Sequence, residues 1–263
     1  MQSTVQAVYH SGELLAKKPH FHDCHQIILI RKGEVEFCVN DARYRARQGH
    51  MAIFSRYENH SVRVLSREYD RYVLHIDPDV VNRASPVYSL LTDRPVGFCN
   101  VVDVSAHMED SAALFRRLIS EHNSGEKLAR EMEQLILEQL LITLYRCMPN
   151  NFRDLQDDLV VSIKRQLENA YHQPCTLATL ARQHSVSPSS LSHRFRAVTG
   201  TSVMAYLQSC RIAQAKRLLA GSELPVGEIV ERCGFSDNSN FSRTFKRLTG
   251  LSPTDFRQNY KAE

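Results

Sequence analysis

Two stretches decide the fold: LATLARQHSVS at residues 177–187 and VGEIVERCGFS at residues 226–236. The likeness continues downstream, where Phe195–Gly200 (FRAVTG) runs in step with Phe245–Gly250 (FKRLTG). Apolar residues in both stretches recur at helical spacing, and each stretch ends at a residue that favours a turn. A unit that recurs in this way indicates one structural task carried out twice. The pattern predicts two helix-turn-helix motifs.

A helix-turn-helix needs a small residue where its helices meet, a sharp turn, and an apolar anchor in its second helix. In the first copy, at about residues 176–199, Ala181, Ser185 and Phe195 fit these roles. The matching residues of the second copy, at about residues 226–249, are Val230, Gly234 and Phe245. Side chains that accept a hydrogen bond at a helix start precede the predicted helices; they are Thr176, Ser187, Ser202 and Asp237.

The outward positions of both second helices are polar and suit double-stranded DNA. Arg pairs with guanine and Asn with adenine, while Ser and Lys contact phosphates or base edges. Residues 1–157 carry 19 basic and 21 acidic side chains, whereas residues 158–263 carry 14 and 8. One such row alone is as well explained by a solvated helix face, but two matched rows in a basic segment favour DNA binding. The predicted DNA-binding residues are Ser189, Ser192, His193, Arg196, Asn238, Ser239, Ser242, Arg243 and Lys246.

Composition narrows the class of protein. The chain has 263 residues, 43% of them hydrophobic, which suffices for two packed domains. Seven cysteines lie scattered without a CxxC pair, so neither a disulfide framework nor a zinc finger is expected. The sequence shows no signal peptide and no apolar run long enough to span a membrane. We therefore expect a cytoplasmic protein with no membrane partner.

Short alternating strands dominate the first hundred residues and predict a sandwich or small barrel. The spacing then becomes helical over residues 105–147. The second helix of this region, from about Lys127 to Cys147, has an apolar face wide enough for both a core and a partner subunit. This wide apolar face predicts a homodimer contact, although burial against the domain's own sheet explains the face equally well. A polar linker is expected at residues 149–157.

Histidines cluster in the predicted barrel. His20 and His22 share one face if they lie in a strand, whereas His25 is out of phase and is expected to point outward. Two imidazoles and a third from a neighbouring strand can hold a metal ion or bind a small ligand, or they can simply line the barrel. Arg43, Arg45 and Arg47 share another strand face, which fits a solvated edge or an acidic ligand. The candidate pocket residues are His20, His22, Gln26 and His60.

Residues 158–263 resemble the DNA-binding domain of the AraC/XylS transcription regulators. The resemblance implies seven helices, with two recognition helices held apart by a linking helix at about residues 202–220. It also implies groove entries about 10 bp apart on one DNA face, and activation through RNA polymerase. The sequence departs from the family at Ser185, usually Gly, and Asn240, often aromatic. The resemblance rests on Tyr206-Leu207, Arg211-Ile212, Ala215, Leu218-Leu219, Cys233–Asp237, Phe241–Arg243, Phe245-Lys246, Thr249-Gly250 and Ser252-Pro253.

The histidine spacing resembles the first cupin motif, with Gln26 where that motif has a carboxylate. The first half also resembles the cupin-like arm of the same regulators, whose barrel takes a small organic effector, often a sugar, and rarely a metal. The resemblance implies a cupin-like effector-binding and dimerisation domain at residues 1–148 and a DNA-binding domain at residues 158–263. We therefore expect a transcription activator with neither enzymatic activity nor a cofactor.

Two alternatives remain open at the level of sequence. A metal-dependent cupin enzyme would hold its metal on His20, His22 and His60, although Gln26 and the paired helix-turn-helix motifs weigh against it. A ligand-independent regulator would use the barrel only to dimerise.

Overall fold

The computed structural model describes residues 5–12, 17–39, 42–80, 85–95, 97–148 and 157–261. The chain forms two compact units, residues 2–156 and residues 157–263. In the described part of the first unit, three helices follow or interrupt the strands: α1 (Ser89–Thr92), α2 (Met108–Ser124) and α3 (Ala129–Arg146). The strands are β1 (Val5–His10), β2 (Lys17–His20), β3 (His25–Lys32), β4 (Glu34–Val39), β5 (Ala42–Arg47), β6 (His50–Phe54), β7 (His60–Val64), β8 (Asp70–Ile76) and β9 (Val101–Asp103).

These strands form two antiparallel sheets that face each other. One sheet has the order β1-β8-β3-β6-β9 and the other the order β2-β7-β4-β5. Their shared core contains Ile28 and Phe54 from the first sheet and Val35, Phe37 and Val62 from the second. β4 supplies every second residue to this core, as the period of a strand requires. The predicted β-rich first domain is confirmed, and its barrel is flattened into two layers.

The outer face of the five-stranded sheet is covered by α2 and α3. Leu29 of β3, Phe115 of α2 and Leu140 of α3 are fully buried in this second core. Burial of a side chain of this size stabilises the fold by about 1.5–3 kcal/mol. Because β3 has a core on each side, residues 27–30 read as a continuous apolar run rather than an alternating one.

The second unit is helical, and its predicted seven helices are confirmed. The linking helix α7 contacts α4, α6, α8, α9 and α10, so it is the centre of this unit. At 1.5 Å per residue its 19 residues extend over about 28 Å. The helices are α4 (Asp158–Asn169), α5 (Leu177–Gln183), α6 (Pro188–Thr199), α7 (Val203–Gly221), α8 (Val226–Arg232), α9 (Asn238–Thr249) and α10 (Pro253–Lys261).

The helix starts follow the predicted caps. The side chains of Ser187, Ser202 and Asp237 each accept a hydrogen bond from a backbone amide three residues on. Thr176 forms a reciprocal capping box with Thr179. A polar cap of this kind stabilises a helix by about 1 kcal/mol. Local sequence therefore sets where these helices begin.

Other parts of the fold were not predicted. The sequence patterns missed β1, β2 and β9, because the first two precede the clear alternation and the last has only three residues. Residues 149–156 of the predicted linker lie outside the described residues, while Asp157 caps α4. In the part of the chain that the structure describes, no helix is both long and apolar enough to traverse a bilayer.

Candidate functional site

The first helix-turn-helix consists of α5 and α6. Ala181 is buried at the crossing, and Leu191 and Phe195 anchor α6 in the core with no exposed surface. Phe195 meets Tyr206 of α7 edge to face at a ring-centroid distance of 5.5 Å. The apolar residues therefore fix which side of α6 turns inward, and the opposite side is left exposed.

The second helix-turn-helix, α8 and α9, repeats this construction. Phe241 and Phe245 are fully buried in positions that correspond to those of Leu191 and Phe195. Val230, bulkier than Ala181, is accommodated with 3% exposure. Burial raises the pKa of the Cys233 thiol to about 12, so this cysteine behaves as a core residue. Two copies of one scaffold thus present two recognition helices, α6 and α9.

The two turns reach the same backbone conformation with different residues. Gly234 has a φ of +76° and Ser185 a φ of +55°, both in the left-handed region. Glycine adopts this region freely, whereas a residue with a Cβ is disfavoured there by about 1–2 kcal/mol. The departure from glycine at Ser185 therefore leaves the turn geometry intact.

The variant Ser185→Gly is expected to increase the free energy of unfolding of the helical unit by about 0.5–1 kcal/mol. It removes the steric cost of the left-handed backbone, and part of that gain is offset by the greater chain entropy of glycine. Urea denaturation followed by hydrogen exchange of α5 and α6 measures the change. Ser185→Ala retains the Cβ and serves as the control; equal stabilisation by both variants would contradict this explanation.

The predicted DNA-binding residues lie on the outward sides of α6 and α9. Ser192 is half-buried, and the other eight are exposed. The Arg243 Nε donates a 3.3 Å hydrogen bond to the carbonyl oxygen of Ser239, one turn earlier on the same helix. A shallow cleft of about 590 Å³ runs beside α6. Its lining consists of Ser189, Ser192, His193 and Arg196 together with Leu177, Pro188 and Ala197.

A further arginine of α6 is engaged within the domain. Arg194 donates two hydrogen bonds to Asp157, from Nε to Oδ2 at 2.8 Å and from Nη2 to Oδ1 at 2.6 Å. Burial tends to raise the pKa of Asp157, but the hydrogen bonds from Arg194 and the Val160 amide outweigh it and hold that pKa below its usual range. Arg194 and Arg196 are both exposed, and Arg196 lines the cleft beside α6. The ion pair thus gives Arg194 a role within the domain.

In the first unit the structure brings three of the predicted histidines together. His20 and His60 are direct partners in the β2–β7 ladder, and their ring centroids lie 4.5 Å apart. His22 lies 5.0 Å from His20 and 5.3 Å from His60 by the same measure. One ligand nitrogen from each ring can be chosen so that all three lie within 4.8 Å of one another. We call His20, His22 and His60 the histidine trio.

One loop, residues 55–58, organises the trio. The Tyr57 amide donates to the carbonyl oxygen of His22 at 2.9 Å, and the Glu58 carbonyl oxygen accepts from His60 Nδ1 at 3.0 Å. The Glu58 carboxylate is held in turn by Arg94 Nη1 at 2.8 Å and Asn100 Nδ2 at 3.1 Å. Burial lowers the pKa of Arg94, and the adjacent Glu58 opposes that shift. Phe54, just before the loop, stacks on the His60 ring with a ring-centroid distance of 4.1 Å.

Two expectations about this region need correction. His22 lies just beyond the end of β2, so its approach to His20 comes from the turn and not from strand alternation. His25 does not point outward: it is 5% exposed, because the chain turns at residues 23–24 and the phase of β2 does not continue into β3. Its Nδ1 accepts a hydrogen bond from the Arg56 amide.

Gln26 lies beside the trio rather than within it. It is buried, and its Nε2 lies 2.9 Å from His75 Nε2, its cross-strand partner in β8. Sequence reasoning missed His75, whose ring centroid is 5.6 Å from that of His22. The alternating pattern of β8 could have predicted it, because His75 lies opposite Gln26 in that strand. The row Arg43, Arg45 and Arg47 lies exposed on the edge strand β5, as a solvated edge does.

Comparisons with known proteins agree with this division. Residues 7–144 match the model of the AraC-like ligand binding domain, and residues 180–259 match a helix-turn-helix domain. The first of these matches alone spans more than half of the chain. The chain belongs to the AraC/XylS family of transcription regulators. The family's two-domain organisation therefore applies to it: a ligand-binding domain followed by a DNA-binding domain.

Individual relatives of this regulator are known. The HTH-type transcriptional activator RhaR of Salmonella schwarzengrund is 34% identical over 160 residues, which cover 58% of this chain and 55% of that protein. RhaR of Yersinia pseudotuberculosis is 26% identical over 251 residues, 92% of this chain and 84% of that protein. ToxT of Vibrio cholerae O395, at 14% identity, has a TM-score of 0.65 over 98% of this chain and the whole of its own. This last likeness concerns the fold.

Proposed function

We propose that this regulator activates transcription by binding a promoter site with α6 and α9, in response to a small molecule held at the histidine trio and Gln26. The observation that carries the proposal is the pair of recognition helices, each anchored by buried residues and exposing a polar row. Because both helices contact α7, their separation is fixed by the domain. Helices held in this way suit successive major-groove segments of one duplex face.

The two recognition helices offer different chemistry to DNA. In α9, Arg243 suits guanine N7 and O6, Asn238 suits adenine, and Lys246 suits a phosphate. In α6 the short side chains of Ser189 and Ser192 reach base edges or phosphates, with His193 and Arg196 beside them. We therefore expect α9 to contribute at least as much base discrimination as α6.

Selection from a random duplex pool tests this function directly. The full chain is expected to enrich an asymmetric site with two conserved elements about 10 bp apart. The control is a double variant, Arg196→Ala with Arg243→Ala, which leaves the buried anchors in place. Enrichment of no sequence by the folded wild-type chain would contradict the proposal.

The variant Lys246→Ala is expected to weaken binding to all sequences alike and to reduce the slope of log K against log salt by about one unit. Loss of a phosphate contact releases one counterion fewer and carries no base information. Affinities measured across a series of salt concentrations give the slope. Lys127→Ala removes the same charge from an exposed position outside the recognition helices; an unchanged slope in Lys246→Ala would exclude the phosphate contact.

Regulation also needs a link from ligand to DNA. An effector alters DNA binding only if it binds one arrangement of the protein more tightly than another. We infer activation, because the relatives named above are transcriptional activators, and RNA polymerase is then the expected further partner. Chromosomal DNA as a partner implies action in the cytoplasm. The paired recognition helices favour this regulator over a metal-dependent cupin enzyme, which has no use for them.

A homodimer is part of the same proposal, and α3 supplies its surface. This helix buries Ile136, Leu140 and Leu144 in its own domain. A second stripe follows the alternating spacing of four and three residues that is typical of coiled coils. Its four apolar members are all exposed: Leu128, Met132, Leu135 and Ile142. Leu128 is the N-cap of α3 and the other three lie within the helix. Gln139 occupies the remaining position of the spacing.

The variant Leu135→Ala is expected to weaken self-association about tenfold, because Leu135 is central in the stripe and 62% exposed in the single chain. Sedimentation equilibrium measures the dimer dissociation constant. Leu65→Ala is the matched control, since Leu65 is 39% exposed and lies off α3. Equal dissociation constants for the two variants would show that α3 is not the contact.

A further inference from the structure

We propose that the histidine trio binds a divalent transition-metal ion that prefers imidazole ligands, such as Zn²⁺, Ni²⁺, Cu²⁺ or Co²⁺. The inference rests on the proposed sensing function for its place in the molecule and gives that site a ligand class. It depends on neither recognition helix. Metal binding at His20, His22 and His60 would make the ion itself a signal, or the anchor for a second ligand.

The three rings of the trio lie close enough together to share one ion. The three ligand nitrogens lie within 4.8 Å of one another. In a tetrahedral site with Zn–N bonds of about 2.0–2.1 Å, the nitrogens lie about 3.3 Å apart. Side-chain rotation of His20 and His22, which are half-buried, closes this difference. His60 is 2% exposed, so its ring keeps its position while the rings of His20 and His22 rotate toward it.

The His60 ring is held with its proton on Nδ1. A carbonyl oxygen only accepts hydrogen bonds, so the contact with the Glu58 carbonyl places a proton on His60 Nδ1. In the neutral ring, Nε2 then carries a lone pair. Histidine ligands of metal ions characteristically donate their other ring nitrogen to a carbonyl or carboxylate in this way. The Phe54 ring, stacked at 4.1 Å with an interplanar angle of 12°, fixes the orientation of the imidazole.

The candidate ligand set consists of three imidazoles. Three imidazoles favour zinc, copper, nickel and cobalt over magnesium and calcium, which prefer oxygen ligands. The nearby oxygen-bearing side chains have other contacts. The Gln26 amide contacts His75, and Asp23 Oδ1 forms an ion pair with Arg56 Nη2 at 3.5 Å. A site with three protein ligands keeps a coordination position for water or for an oxygen atom of a second ligand. This is the arrangement of an exchangeable site rather than a closed structural one.

Titration of the tag-free, full-length chain with Co²⁺ tests the proposal, with Zn²⁺ as competitor and Mg²⁺ as the negative control. One Co²⁺ per chain, with visible ligand-field absorption that Zn²⁺ abolishes, is expected. His20→Ala and His22→Ala should each weaken Co²⁺ binding by at least about 100-fold, the upper range for loss of an outer-shell partner. His107→Ala, which removes an exposed histidine of the same unit, should leave binding unchanged.

Loss of metal binding must be distinguished from loss of folding. His60→Ala removes a buried ring and can unfold the domain, so the result depends on the half-buried His20 and His22, with circular dichroism verifying their folding. Wild-type chain that fails to bind Co²⁺ overturns the proposal, and so does full binding by both variants. DNA selection on the same preparation reports on the recognition helices alone, so failure of the metal site and failure of the DNA-binding role are distinguishable.

Discussion

Gly234→Ala is expected to decrease the free energy of unfolding of the helical unit by about 2–5 kcal/mol. The turn has a φ of +76°, and a Cβ there would lie 2.5 Å from the carbonyl oxygen of His172. Left-handed strain contributes about 1–2 kcal/mol and the clash about 1–3 kcal/mol more. Arg211 donates to the carbonyls of Tyr171 and Gln173, so the backbone around His172 cannot easily withdraw.

Gly250→Ala is the matched control for this clash. Gly250 has a φ of +82°, yet a methyl group added there would meet nothing within 4 Å, so only the backbone strain should remain. Hydrogen exchange of α8 and α9 during urea denaturation measures both variants. If the two substitutions prove equally costly, contact with His172 plays no part in the requirement for glycine.

Arg243→Ala is expected to weaken binding to the selected site by about 1–3 kcal/mol, or roughly 5- to 150-fold, and to relax the preference at one base pair. A bidentate contact to guanine is lost, while the contacts to phosphate remain. Competition binding on the selected site and on its single-base variants measures both effects. Arg243 Nε donates a 3.3 Å hydrogen bond to the Ser239 carbonyl oxygen in the free chain, so any release of that bond on binding DNA reduces the net loss.

Arg247→Ala provides the control on the same helix. Its Nη2 donates to Gln208 Oε1 of α7 at 3.0 Å, so this side chain lies toward the scaffold, and the substitution removes the same charge. We expect it to leave base preference unchanged. Equal losses for Arg243→Ala on cognate and scrambled DNA would mean that Arg243 contacts only the backbone of the duplex.

The helical unit was predictable because its determinants are local. Caps such as Ser187 and Asp237 act within three residues, and the anchors Phe195 and Phe245 follow helical spacing. The same spacing predicted which residues of α6 and α9 are exposed. The proposed partners of these residues stay predictions, since base recognition depends on the duplex as well as on the protein.

The histidine site was only partly predictable because its contacts are distant in sequence. Spacing selected His20, His22 and His60, but the pairing of His20 with His60 across β2 and β7 depends on a strand that the pattern missed. The inward position of His25 follows from a turn, and the approach of His75 follows from the β3–β8 register. The loop that orients His60 is fixed by Arg94 and Asn100, more than thirty residues later.

The ion pair between Asp157 and Arg194 joins the start of α4 to the recognition helix α6. Asp157 is the first described residue after the ligand-binding unit, it begins α4, and it is bonded twice to α6. Fraying of the first turn of α4 must therefore break both of these bonds to α6. The beginning of the helical unit is thus fastened to its first recognition helix.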